Sequence, residues 1–335
     1  WSLFKILCTV PPKYNISQSL GGLSKLFIGF IILASSSRIN KCFAYIAATK
    51  EYENWSDEYC RKEVAEQFEK LIFSSYWQMH TFLEQYDLPM DRCEVQKTAI
   101  FPFEHYEKPR DGKINLIYAS TPQRGLHVLC NALHELERDD WHLHVYSSFQ
   151  IYGWKENDQP YGELFEHIEN NPNMTLHKIV RGRPLREEWK DMHIWAYPCI
   201  WEETSCRTAM EAMSSRTAML TNSLGALPET CSDHAFMYPY IKDEIEHCYR
   251  FADEIDKLMD TYWDDETQDV IDRAKKHADK YYSWDYRAPK WIEMFELMDI
   301  EDELEEQSDA ERVATVLWKK DLQHPPLIYY MQAIL

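Results

Sequence analysis

The chain has no C-x-x-C pair, no H-E-x-x-H run and no Asp-x-Asp triplet. Its nine cysteines, an odd number, are scattered from Cys8 to Cys248. A disulfide framework or zinc ribbon would cluster them, so reduced thiols in a cytoplasmic compartment are expected. The sequons at Asn15, Asn54 and Asn173 then carry no meaning. The thirteen histidines show no metal-ligand spacing, and His142 and His144, alternating along a strand-like run, read as structural. No metal and no cofactor is expected. Positive charge is scarce as well: 36 Lys and Arg stand against 56 Asp and Glu, a formal net charge of −20. Nucleic acid and an anionic membrane would both repel such a chain, although a local basic pocket could still hold a phosphorylated small molecule. Long apolar runs are missing too. The most apolar stretch, "LFIGFIILA" at 26–34, is too short to span a bilayer, so no stable membrane insertion is expected. It reads as a buried strand or helix. A signal-peptide core is the other reading, because Lys13 and Lys25 precede it and small residues follow. No repeat of fixed period is visible.

What is present is a two-domain length of 335 residues, with enough apolar and aromatic side chains to exclude long disorder outside a C-terminal acidic stretch. Residues 57–72, "DEYCRKEVAEQFEKLI", have helical spacing, and "MHTFLEQYDL" follows as a second helix. The proline- and charge-rich segment from Pro89 reads as a connector, with a domain boundary near 102–113. From 114 onward, apolar strands alternate with helices. "INLIYAS", "WHLHVYSSF", "MTLHKIV", "HIWAYPCI" and "TAMLTN" are the strands; "RGLHVLCNALHEL", "GELFEHIENN", "LREEWKDM" and "SCRTAMEAMSS" are the helices. That alternation predicts a parallel α/β sheet, whose ligands sit at the carboxyl ends of the strands. Beyond 240 the chain reads as helical, ending in an acidic helix from 299 with a solvated face.

Glu203 and Glu211 frame seven residues in "EETSCRTAMEAM". Thr204 and Ser205 are good N-caps and the Ala/Met run favours helix, so a helix is expected to begin just after Glu203. Eight helical positions separate α-carbons by roughly 12 Å. Glycosidase carboxyl pairs stand about 5–9.5 Å apart, so the spacing does not suit two acids holding one bond between them. It suits a long ligand. Between the two acids the N–H groups of Thr204, Ser205 and Cys206 would form an anion site, which matches a sugar, a diphosphate and a ribose in that order: a nucleotide sugar.

These residues resemble the E-x7-E motif of retaining GT-B glycosyltransferases of family 4, the glycosyl transferases group 1 type. "NLIYASTPQRGLHVL" is similar to the first strand, loop and helix of that family's donor domain, and "TNSLGALPET" to its G-x-x-P-E loop. "LIFSSYWQMHTFLEQYDLP" resembles the segment that closes the N-terminal domain, and "YSWDYRAPKWIEMF" the helix that crosses back to it. The resemblance covers roughly residues 60–298. It implies an α/β, GT-B fold: two Rossmann-like domains facing across a cleft, the N-terminal one apparently short, with C-terminal helices crossing back. The domains would be 1–104 on the acceptor side, 105–283 binding the nucleotide sugar, and 284–335 holding the crossing helix and the acidic helix.

The implied activity is metal-independent transfer of a sugar from a UDP- or GDP-sugar to a hydroxyl of a glycan, lipid-linked or protein acceptor, with retention. Glu203 would contact the sugar, Glu211 the ribose, and Arg124 the diphosphate. Gly182 and Arg183, in "RGRP", would lie near the base. The family's front-face displacement needs no enzyme nucleophile, and Cys206 reads as packing although it sits at a helix start. Three features depart from the family pattern. The second basic residue upstream of "RG" is replaced by Ala119 and Ser120. Ser214, Ser215 and Arg216 follow "EAM" where a small pair and glycine are usual. The 104-residue N-terminal part, with "SQSLGGLSKL" similar to the family's Gly-Gly loop, leaves room for few βα units. A GT-B epimerase acting on a UDP-sugar and a non-catalytic glycosyltransferase-like subunit therefore stay open. If Arg216 ends the helix left-handed, Arg216→Gly is expected to raise the thermal midpoint.

Overall fold

The computed structural model describes residues 30–34, 42–46, 62–66, 68, 70–177 and 183–295. The chain divides into two compact units, Ile100–Tyr281 and a second made of Trp1–Ala99 with Tyr282–Leu335. The "SQSLGGLSKL" stretch, residues 26–29, Gly182 and the acidic helix expected from 299 lie outside the described residues.

In the N-terminal unit, β1 (Phe30–Ala34) pairs antiparallel with β2 (Cys42–Ile46), and β3 (Lys70–Phe73) and β4 (Cys93–Val95) continue the sheet in parallel. The helix expected over 57–72 is overturned at its end. Among the described residues there, α1 (Lys62–Ala65) is the helical part, and Lys70–Ile72 belong to β3. Leu71, Ile72 and Phe73 are fully buried, and consecutive apolar residues are what a strand covered on both faces requires. Ser75 then caps α2 (Tyr76–Gln85) by accepting the Gln78 N–H at 3.0 Å. Met79 and Phe82 from α2 pack with Phe68, Leu71, Phe73 and Leu88. The helix Trp284–Phe295 groups with this unit.

The other unit follows the predicted alternation: β5 (Ile114–Ala119), α3 (Leu126–His134), β6 (Trp141–Tyr146), α4 (Gly162–Asn170), β7 (Met174–Leu176), α5 (Arg183–Glu188), β8 (Ile194–Tyr197), α6 (Arg207–Ser214), β9 (Ala218–Asn222) and α7 (Leu227–Cys231). A short edge strand, β10 (Phe236–Tyr238), follows, and α8 (Glu244–Asp260) and α9 (Asp265–Tyr281) complete the unit. All strands are parallel, in the order β10-β9-β8-β5-β6-β7. β8 and β9 are buried at every position, as central strands under two helix layers must be. The chain starts at β5, builds outward through β6 and β7, and returns to the far side of β5 to add β8, β9 and β10. The strand order therefore reverses between β5 and β8, and it is beside such a point, outside the carboxyl ends of the strands, that the ligands of open parallel sheets sit in a crevice.

His142 and His144 stand half-buried on β6. His142 Nε2 lies 2.8 Å from Thr175 Oγ1, and His144 Nδ1 lies 3.0 Å from His177 Nε2. Burial pushes His144 down to about 4, so it is neutral and structural. Among the described residues no group of three His, Cys, Asp or Glu could hold a metal ion, and no helix is long and apolar enough to cross a membrane. Cys93, Cys130, Cys199, Cys206, Cys231 and Cys248 are free thiols.

Arg216 does adopt a left-handed conformation, with φ 58°. Its N–H reaches Met213 O at 3.2 Å and the Thr217 N–H reaches Ala212 O at 2.9 Å, the paired bonds of a Schellman cap. The expected gain from glycine nevertheless fails on the side chain. Arg216 is buried, its Nε donates to Asp272 Oδ1 at 2.7 Å, and its Nη1 reaches the Tyr106 carbonyl at 3.5 Å. Glycine would relieve about 1–2 kcal/mol of backbone strain. It would lose a charged hydrogen bond of about 1.5–3 kcal/mol and the packing of the stem. Arg216→Gly should therefore lower the thermal midpoint by a few degrees. A higher midpoint in scanning calorimetry would mean that the ion pair contributes nothing.

Candidate active site

Three loops at the carboxyl edge of the parallel sheet meet around Glu203. The first leaves β5 through Ser120 and Thr121, makes a single 3-10 turn at Pro122–Arg124, and enters α3 at Gly125. The Tyr118 hydroxyl donates to the Thr121 carbonyl at 2.9 Å and braces this turn from below. Gly125 has φ 113°, and a Cβ built on it would lie 2.2 Å from the Pro198 carbonyl oxygen. Only glycine lets the loop sit so close to the end of β8, where the Ile200 N–H donates to Arg124 O at 3.3 Å. The third loop follows β9. Gly225, at φ 61°, passes so near that a Cβ would lie 2.7 and 2.8 Å from the backbone N and O of Glu203. Beside it the Ala226 N–H donates to Glu203 O at 2.7 Å.

Held in this way, the Glu203 side chain is only 7% exposed. Its Oε1 accepts from Arg124 Nη1 at 2.6 Å and from the Tyr197 hydroxyl at 2.6 Å. Among the described residues no hydrogen bond reaches its other oxygen. The Arg124 guanidinium lies 5.8 Å from the centre of the Trp201 ring. Burial works against its charge, but the Glu203 carboxylate and the Tyr197 and Tyr152 hydroxyls outweigh it, and the pKa stands well above the usual arginine value. Burial first, and then the negative potential of Cys199 and Glu203, raises the Tyr197 phenol well above its ordinary pKa, so it remains a proton donor. Arg124 Nε is buried and lacks a partner among the described residues, as do Thr121 Oγ1, Gln123 Oε1 and Ser147 Oγ in the loops after β5 and β6. Buried polar atoms without partners are rare in stable interiors and mark a place where something else can bind.

The expected start of the helix needs correcting. α6 begins at Arg207, with Cys206 as its N-cap (φ −83°, ψ 94°) and no side-chain capping bond. The backbone of Glu203 is engaged by the β9 loop, so residues 203–206 run as a bridge before the chain can wind. Thr204 and Ser205 are thus half-buried loop residues rather than the first residues of the helix. Cys206 is buried and its thiol is pushed well above the ordinary range, chiefly by burial, which agrees with a packing role. Thr208 Oγ1 donates to Ala119 O at 3.3 Å, tying the first turn of α6 to the end of β5. Glu211 lies one turn along α6, 14% exposed, with its Oε1 accepting from Arg207 Nε at 3.2 Å. Arg183 is the first residue of α5, and Gly182 lies outside the described residues.

The structure thus brings Arg124 and Glu203 into contact, although 79 positions separate them in sequence. Tyr197 escapes a search for titratable motifs because it reads as one more apolar strand residue. Its signal in the sequence is a lone hydroxyl at the end of the run "HIWAY".

Residues 114–261 match the family model described as glycosyl transferases group 1. No curated protein matches the chain. Solved structures do. A glycosyltransferase from Rickettsia africae is 16% identical, with a TM-score of 0.59 over 72% of this chain and 66% of its own. Anabaena HepE in complex with UDP is 15% identical, with a TM-score of 0.63 over 76% of this chain and 71% of its own. The pneumococcal O-GlcNAc transferase GtfA, in complex with UDP and GlcNAc, is 13% identical, with a TM-score of 0.55 over 80% of this chain and 50% of its own. The chain therefore spans between half and about seven tenths of these relatives' length. At such identities the likeness speaks for the fold. With the strand order, the converging loops and the family match together, residues 114–261 resemble the glycosyl transferases group 1 family, and the fold is GT-B.

Proposed function

We propose that this chain transfers a sugar from a nucleoside-diphosphate sugar to an acceptor hydroxyl, with retention of anomeric configuration. The observation that carries the reading is the Arg124–Glu203 pair at the point where the strand order reverses, with a buried guanidinium N–H still to be satisfied. HepE and GtfA, whose structures hold UDP, support a nucleotide as the ligand of that crevice. In the proposed reaction the bond between the anomeric carbon and the β-phosphate oxygen breaks, and its electron pair leaves with the phosphate. Arg124 meets that growing negative charge as a fixed cation, which is where a preorganised site contributes most. Glu203 accepts from the sugar hydroxyls through its open oxygen, and Glu211 accepts from the ribose. The acceptor oxygen adds on the face from which the diphosphate departs, and its proton passes to the departing phosphate oxygen. No side chain is needed as nucleophile, and the buried, fully protonated Cys206 is unsuited to be one.

Calorimetric titration with UDP and GDP, followed by a turnover assay over a panel of UDP- and GDP-sugars, tests this. Micromolar binding of one diphosphate, and product with the anomeric configuration of the donor, are expected. Binding without turnover would favour a non-catalytic subunit. Release of free sugar without an acceptor would favour an epimerase. Neither binding nor turnover would remove the functional reading. The turnover is also expected to survive EDTA, because Arg124 supplies the charge that a divalent ion would otherwise bring. Loss in EDTA with recovery in manganese would overturn that part.

A further inference from the structure

Tyr197 ends β8 with 1% exposure, its ring stacked on Trp195 at 4.6 Å and packed against Tyr118 at 5.7 Å. Both neighbours are themselves fully buried, so the phenol has one place to be. Its hydroxyl donates to Glu203 Oε1 at 2.6 Å, and the Ser120 hydroxyl stands 3.5 Å behind it. Glu203 therefore has two side-chain supports of different kinds. Arg124 is a cation with a quarter of its side chain exposed, and an incoming diphosphate competes with Glu203 for it. Tyr197 is neutral and enclosed, and an anion gains nothing by approaching it. When Arg124 turns toward phosphate, the phenol is the support that stays.

We propose that Tyr197 is a positioning residue that holds Glu203 in its reactive orientation while Arg124 engages the diphosphate. This rests on the functional reading above. Two features follow from the geometry. The support matters only when the donor is bound and Arg124 is shared, so its loss appears in turnover rather than in nucleotide affinity. It acts only through the Glu203 carboxylate, so its effect vanishes where that carboxylate is already gone.

The test is a double-mutant cycle with Tyr197→Phe and Glu203→Ala, which leaves the phenol no acceptor, run on the purified full chain. Phenylalanine keeps the ring stack, so the fold should persist, which circular dichroism checks. Tyr197→Phe is expected to lower kcat for the best nucleotide sugar about 10- to 100-fold, the range for a hydrogen bond to a charged group. Affinity for the free nucleoside diphosphate should stay within about twofold of the parent, the split between turnover and binding that mere loosening of the core would not produce. In the Glu203→Ala background the same substitution should change turnover less than about twofold. The cycle is also read in urea denaturation, where the two substitutions should be less than additive. Parental turnover in Tyr197→Phe, or an equal fractional loss in both backgrounds, would overturn the proposal. If the parent turns over no nucleotide sugar, the glycosyl-transfer reading fails by itself. The denaturation cycle still decides whether Tyr197 supports Glu203, and strict additivity there would overturn it.

Discussion

Glu203→Gln is expected to leave the chain folded and its affinity for nucleoside diphosphate nearly unchanged, while turnover falls about 100-fold or more. The amide keeps the shape of the carboxylate, and its oxygen can still accept from Arg124 and Tyr197, which both bond to Oε1 in the parent. What disappears is negative charge facing a sugar that develops positive character, and a loss confined to the transition state lowers kcat. Stability should fall as well, because Arg124 then lies largely buried without its counterion. Glu211→Gln should behave in the opposite way. Glu211 lies on α6, away from the Arg124–Glu203 pair and beside Arg207, and its proposed partner is the ribose. Free diphosphate and intact donor should both bind about 10- to 100-fold more weakly, the worth of a charged hydrogen bond. Titration calorimetry separates the two. If both variants bind the diphosphate like the parent, the nucleotide-sugar reading of the motif is wrong.

Gly125→Ala should be among the most damaging single substitutions in the parallel-sheet unit. The added methyl would meet the Pro198 carbonyl oxygen at 2.2 Å, and that oxygen is backbone, with no rotamer by which to retreat. A positive φ of 113° adds strain of its own. Left-handed strain of about 1–2 kcal/mol and overpacking of about 1–3 kcal/mol together cost about 2–5 kcal/mol. The thermal midpoint should drop by about 10 °C, as expected for a unit of this size. Function should suffer beyond that. Relief of the clash separates the Arg124 turn from the β8 loop, and with it Arg124 from Glu203. Gly225→Ala should act by the same route from the other side, because its methyl would press on the backbone of Glu203 itself. An alanine variant with the parental midpoint and turnover would show that these loops are not held as closely as described.

Most of the parallel sheet could be read from the order of residues. A strand buried on both faces must be apolar at every position, and a helix between two such strands must be apolar on one side. "HIWAYPCI" and "RGLHVLCNALHEL" therefore announce themselves locally. The meeting of Glu203 with a basic loop was visible too, through the resemblance carried by "PQRGL" and "EETSCRTAMEAM". Where local pattern and tertiary contact compete, the sequence alone misleads. Lys70–Ile72 continue a helical spacing but are drawn into β3 by pairing with β2 and β4, partners remote in the chain. Thr204 and Ser205 are good caps, yet α6 starts at Arg207 because the β9 loop holds Glu203 in an unwound bridge. Arg216 has the conformation expected of a glycine, and only its contact with Asp272, 56 positions away, explains why arginine is kept. The bond between Tyr197 and Glu203 is of the same kind. Propensity and periodicity describe what a segment can do by itself. Which donor meets which carboxylate depends on how three loops pack, and that is settled only when the sheet has assembled beneath them.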